Sequence, residues 1–233
     1  MTVDGAARPT TGDDGTRGTR PPVRDTVLRT AGAALRLVRG SDVALVYVAV
    51  LVVVTTVLLA LGDRTYDRVV AESSTNLANL RERPLTVLLA SAFVVSSPFG
   101  LWILPFLALV YATAQRWVGR AATIAVALVG HVGATLVVAT ELSTGIAHGY
   151  LSKLVVHATD VGVSYALVCL AAFVAVRVPP RWRRWYVGGL VVYVLLPLLL
   201  DLSFTDIGHL VALLLGGTLA FVADRVARDV RAA

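Results

Sequence analysis

The chain has 233 residues, 57% apolar and 15% charged, against about 45–50% and about 25% in an ordinary soluble domain. That balance, with a mean hydropathy of +0.76, excludes a disordered chain and argues against a soluble one. The net charge of +6, from 21 Lys and Arg against 15 Asp and Glu, sits in tails and short loops between apolar runs, a membrane pattern that offers no face to nucleic acid.

In chain order, residues 1–25 are rich in Gly, Thr, Pro and Arg and are expected to be a disordered tail. Residues 26–41 place Leu28, Leu35 and Val38 near one face and arginines on the other. This predicts a basic amphipathic segment on an anionic membrane surface, or an ordinary positive flank to the first span. Val43 to Leu61 is an uncharged run of the length that crosses a bilayer, about 20 residues. It lies too far along the chain for a secretory signal and reads as a retained helix. Leu85 to Ser97 is too short to cross alone and reads as interfacial or re-entrant. Five further predicted spans follow: Phe99 to Trp117, Ala121 to Thr140, Thr159 to Val176, Trp185 to Leu202 and Thr205 to Val222. Residues 42–224 thus form one all-α, six-helix polytopic membrane domain, and 225–233 a second tail. The single cysteine, Cys169, lies inside an apolar run and builds neither a disulfide nor a zinc site.

Basic residues test this count. With the amino terminus in the cytoplasm, the inner segments hold sixteen of the 21, from Arg8 through Arg39, then Arg116 and Arg120, Arg177 through Arg184, and Arg225 through Arg231. The outer segments hold the other five: Arg64, Arg68, Arg81, Arg83 and Lys153. The asymmetry predicts six helices with both termini cytoplasmic.

Ionisable groups inside membrane helices are costly, so each one is a candidate for function. These are His131, Asp160, Asp201, Asp206 and His209, with Ser164 as a candidate nucleophile. Ser164 is five residues into its span and His209 four into its own, so both lie roughly 6–8 Å below the outer end. Histidine is the usual base for a serine nucleophile. Asp160 stands four residues before Ser164 and Asp206 three before His209, which on a helix places each pair on one face. Either acid can orient a partner, or simply complement the first turn of its helix. Asp201 reads as solvated interface. His131 sits mid-span, where a lone histidine serves chemistry or bonds a neighbouring carbonyl or hydroxyl. His148 and His157 read as solvated loop residues. No ligand-spacing motif accompanies the acids and histidines, and no metal or cofactor is assigned. Gly162, Ala212 and Gly216 are small residues suited to close helix approach. The isolated Gly130, Gly133, Gly188 and Gly189 read as packing points rather than phosphate cradles. No span is interrupted at matching places in two halves, the mark of a transporter.

Gly162-Val-Ser164 on the fourth span and Gly208-His209-Leu-Val-Ala212 followed by Gly216 on the sixth resemble the rhomboid family of intramembrane serine proteases. The resemblance covers roughly residues 42–224. It is nearest to the divergent rhomboid-like membrane proteins of high-GC, actinobacterial genomes, which implies a bacterial plasma membrane. It implies a six-helix rhomboid-like bundle, Ser164 as nucleophile and His209 as its base. Two departures stand out. Tyr165 occupies the place of the family's second glycine. The zone corresponding to its oxyanion-stabilising pair falls near Phe99 and Ile103, which carry no donor. Loss of one such donor costs about 10²–10³ in rate, and His131 and Tyr165 are the candidates to substitute. Two readings follow: an intramembrane serine protease acting on a transmembrane substrate, or a catalytically inactive relative that binds transmembrane helices or lipids, with Ser164 and His209 in a structural hydrogen bond. Neither requires a cofactor.

Overall fold

The computed structural model describes residues 40–157, 159–200 and 203–232. The expected tail, nearly all of the amphipathic segment and Asp201 lie outside them. Among the described residues there are helices and turns and no strand. Four stretches of the described residues are long and apolar enough to cross a membrane: Asp42–Ala60, Pro98–Ala147, Pro180–Leu200 and Phe204–Val230.

Helix α1 (Asp42–Ala60) is apolar all round. It buries Ala44, Leu51, Thr55 and Leu58, residues three, four or seven apart and hence on one stripe. Leu45, Val46, Val53 and Val57 face outward and exposed. In water that exposure would be a liability; against lipid tails it costs nothing. Gly62, at φ 95°, turns the chain into α2 (Asp63–Ser73). This helix is amphipathic, buries Tyr66 and Val70, and is pinned where the Tyr66 hydroxyl donates to the Val95 carbonyl at 2.8 Å. Short helices α3 (Leu77–Glu82), capped by the Asn76 side chain, and α4 (Pro84–Ser91), opened by Pro84, complete the first loop. The stretch predicted from Leu85 to Ser97 is therefore α4 and a bend. Its far end is tucked inside the bundle, where Ser91, Val94 and Val95 are buried.

Helix α5 (Leu104–Ala147), preceded by a 3₁₀ turn at Pro98–Ile103, has 44 residues. Unbroken it would extend about 66 Å, twice the hydrocarbon core. It breaks at Gly119, where φ is 84° and ψ 174°, a conformation that suits glycine. The two arms flank α6 (Val163–Val174) in opposite senses. The first arm's Trp117 stacks on Phe173 at 4.7 Å, while the second arm brings Val126 and Gly130 to Cys169 and His131 to Gly162.

Every residue of α6 is buried except Ser164. Twelve residues reach only about 18 Å, short of a bilayer core. The predicted span from Thr159 is thus corrected: residues 159–162 are not helical. Non-helical backbone at that depth has to be satisfied by protein, and the first loop does so. Gly162 N–H donates to the Ser91 carbonyl (3.1 Å), Thr75 N–H to the Asp160 carbonyl (2.8 Å) and Asp160 N–H to Ser74 Oγ (2.7 Å).

Helix α7 (Pro180–Leu200) buries only Val194. It is anchored by the Tyr186 hydroxyl on the Ala171 carbonyl and by Arg183, which donates to the Val176 and Val178 carbonyls. Helix α8 (Phe204–Ala232) packs on α6 through Gly208, Ala212 and Gly216. Its helix continues to Ala232, through most of the segment read as the second tail.

Candidate functional site

Ser164 is the second residue of α6 and His209 the sixth of α8, so the fold brings the two helix ends together. The side chains do not bond. His209 Nε2 is buried with no hydrogen-bond partner among the described residues. Tyr165 faces the imidazole instead: the ring centroids are 5.3 Å apart at 74°, edge to face, and Tyr165 is fully buried. Tyr193 of α7 also approaches the imidazole, with ring centroids 6.1 Å apart. Successive helical residues point about 100° apart, so when Tyr165 faces α8, Ser164 faces away from it. Gly208 makes room for this tyrosine, since a Cβ there would stand 2.4 Å from Tyr165 Cζ and Oη. The structural Ser164–His209 hydrogen bond allowed by the second reading is absent as well.

Tyr165 and Asp160 form the polar centre that is present. The tyrosine hydroxyl donates to Asp160 Oδ2 at 2.8 Å, and the Thr75 hydroxyl approaches the same oxygen at 3.3 Å. The Thr205 side chain stands beside both groups. Asp160 thus lies off the helix and serves Tyr165, not Ser164 on a shared helical face. Asp206 does share a helix with His209, but its carboxylate accepts from the Ser203 hydroxyl at 2.7 Å, while its own N–H reaches back to Ser203 Oγ at 3.3 Å. That reciprocal pair is a helix cap. Tyr165 is committed to Asp160 and does not donate toward Ser164.

His131 is buried and joins the second arm of α5 to the first loop: Nε2 lies 2.8 Å from the Leu88 carbonyl and 3.2 Å from Ser91 Oγ. Its Nδ1 has no hydrogen-bond partner among the described residues and lies against Gly162, where a Cβ would come within 1.8 Å of it. Gly162 is therefore the point at which the ring and the entry to α6 touch, and His131 supports the backbone rather than the serine hydroxyl. Gly130 and Gly133 also pack closely, on Cys169 and Leu215. Gly188 and Gly189, expected to be packing points, have open space around them.

Ser164 opens into an apolar cleft of about 330 Å³ between α6, the start of α5 and α7. Ile103 and Phe106 form one wall, Tyr186, Leu190 and Tyr193 the other, and Gly189 leaves a notch. A smaller recess of about 170 Å³ reaches the same serine past Ser96, Gly100 and Trp102. Phe99, in the expected oxyanion zone, is 77% exposed and does not fill the site, whereas Ile103 lines it. An alcohol with no base at hand is a weak nucleophile. Sequence reading missed Ser74, Thr75, Ser91 and Tyr193. The one available signal was the polar run Ser73-Ser74-Thr75-Asn76, all four of them buried.

No curated protein and no solved structure matches the chain. The model of the rhomboid-like protein family matches residues 36–226, the whole helical core included, and the chain belongs to that family.

Proposed function

We propose that this rhomboid-like membrane protein is non-catalytic and receives an apolar transmembrane segment of a client protein in the cleft beside Ser164. One observation carries this reading: Tyr165, not Ser164, packs against His209, and the serine hydroxyl faces a cleft walled by apolar side chains. The lightly buried α7 leaves that cleft open along its side, which suits a helix arriving from the bilayer. Small polar groups such as Ser164 bond across membrane helices for a fraction of a kcal/mol, enough to select register but not to do chemistry. In this arrangement the chain crosses six times, with α5 folded into two spans at Gly119 and α6 as the fourth. Both termini are cytoplasmic, as the sixteen-to-five division of basic residues favours. A bacterial plasma membrane is the setting that the composition and the family resemblance support.

The test is a fluorophosphonate serine probe applied to native membranes containing wild type, Ser164→Ala or His209→Ala. No labelling of any of the three is expected. Labelling of wild type that disappears in both variants would overturn the proposal and restore the protease reading. Photo-crosslinkers at Phe106 and at Leu136, an outward-facing residue of α5, supply the positive arm. Adducts with membrane-spanning segments are expected from Phe106 alone.

A further inference from the structure

Positive charge is concentrated where α6 turns into α7. Arg177, Arg181, Arg183 and Arg184 fall within eight residues, all four are exposed, and no acid stands in the first turn of α7. Arg183 serves the fold: it donates to the Val176 and Val178 carbonyls at 2.9 and 3.2 Å and so fixes the turn. The other three differ. Among the described residues, no carboxylate or carbonyl oxygen bonds the side chains of Arg177, Arg181 or Arg184. Other arginines of the inner segments do have acids, Arg120 pairing with Asp42 at 2.8 Å and Arg228 with Asp224 at 3.1 Å. Arg181 and Arg184 stand three apart on α7 and are neighbours on one face, about 5–6 Å between Cβ atoms. Like charges at that spacing repel each other.

Aromatic rings orient this charge. Arg184 Cζ lies 5.3 Å from the centroid of the Trp185 ring, and Arg177 Cζ 5.3 Å from that of Trp117, itself stacked on Phe173. Stacking engages the face of a guanidinium and leaves its in-plane N–H donors free, the arrangement that suits a phosphate. Trp182 and Trp185 are 58% and 65% exposed. Helix α7 has 21 residues, about 31 Å, close to the depth of a hydrocarbon core. Exposed tryptophans at one end of such a helix mark the headgroup level.

We infer that Arg181 and Arg184 bind the phosphate of an anionic phospholipid, with Arg177 adding charge beside them and the acyl chains lying along α7. That helix buries only Val194, so its surface is open to the chains. A headgroup of net negative charge is selected over a zwitterionic one, whose own cation would face unpaired arginines.

Native mass spectrometry of the purified full-length protein tests this, titrated with phosphatidylglycerol and with phosphatidylcholine of identical chains. At about five-fold per arginine near a membrane surface, Arg181 and Arg184 together should favour phosphatidylglycerol about 25-fold. Arg181→Gln combined with Arg184→Gln should lower the preference by about that factor. Arg120→Gln combined with Arg228→Gln removes the same net charge from arginines that already pair with acids, and should leave most of the preference. Arg181→Lys combined with Arg184→Lys keeps the charge that orients the segment in the membrane but loses the planar fork, and should give an intermediate preference. Equal retention of the two lipids by wild type would overturn the inference, as would an unchanged preference in the Arg181 and Arg184 glutamine pair. Losses of equal size in the two glutamine pairs would overturn it in favour of net charge alone. Displacement of phosphatidylglycerol by an equal concentration of inorganic phosphate would overturn it in favour of a soluble phosphate ligand.

Discussion

Two adjacent glycines of α8 should respond to alanine with opposite signs. A Cβ on Gly216 would stand 2.0 Å from the Cys169 carbonyl oxygen and 2.9 Å from Ala172 Cβ. The first distance is more than about 1 Å short of the roughly 3.3 Å at which carbon meets a carbonyl oxygen. The obstacle is backbone, so no rotamer change relieves it. Helix α6 cannot retreat either, because on its other flank Gly130 is so close that a Cβ there would lie 2.2 Å from Cys169 Cβ. Overpacking typically costs 1–3 kcal/mol, and a clash held from both sides belongs at the top of that range, about 3 kcal/mol. Each kcal/mol moves Tm by roughly 2–4 °C at this chain length, so Gly216→Ala should melt about 6–12 °C lower. Gly217 has nothing within 4 Å of its Cβ position and is exposed. There alanine gains about 1 kcal/mol of helix propensity, and Gly217→Ala should melt about 2–4 °C higher. The assay is thermal unfolding of detergent-purified protein followed by intrinsic tryptophan fluorescence. If both variants moved in the same direction, or Gly216→Ala left Tm unchanged, the close approach of α6 and α8 at Cys169 would be refuted.

Tyr165→Phe removes the hydroxyl that donates to the buried Asp160 carboxylate, a loss worth about 1.5–3 kcal/mol for a charged acceptor. Thermal melting should register it, and Asp160→Asn in the Tyr165→Phe background should cost much less than Asp160→Asn alone. Gly162→Ala forces a Cβ to within 1.8 Å of His131 Nδ1 and should destabilise strongly. In a His131→Ala background the same change has room and should cost little, a coupling that a double-mutant cycle reads directly. Gly119→Ala meets no neighbour, yet places a side chain at φ 84°, so it should cost about 1–2 kcal/mol from backbone strain alone. Gly188→Ala, equally unobstructed but on a regular helix, should stabilise.

Hydropathy located the apolar helices well because about 20 apolar residues without charge have few other fates. The ends were less legible. The spans expected to begin at Trp185 and to finish at Val222 extend to Pro180 and Ala232, because a helix continues past the lipid boundary wherever its backbone and caps allow. The start of α6 was misplaced for a different reason. Thr159–Gly162 directly precedes the apolar run with no glycine–proline break to mark a boundary, and the partners offered by Ser74, Thr75 and Ser91 let its backbone leave the helical path.

The amino-acid sequence by itself determined an all-α membrane protein, the order in which serine and histidine occur, and the small residues at Gly162, Ala212 and Gly216 through which helices meet. Those features follow from composition and from spacing along one chain. Tertiary structure decided which of two neighbouring residues, Ser164 or Tyr165, meets His209. It also decided that Asp160 serves the tyrosine, and that His131 braces the loop. In a membrane protein the buried and lipid-facing sides of a helix are equally apolar, so hydrophobic periodicity carries almost no record of rotational phase. A rotation of about 100° separates adjacent side chains. That one angle, set by the fit of Tyr165 against Gly208, separates a paired serine from one that lines a cleft.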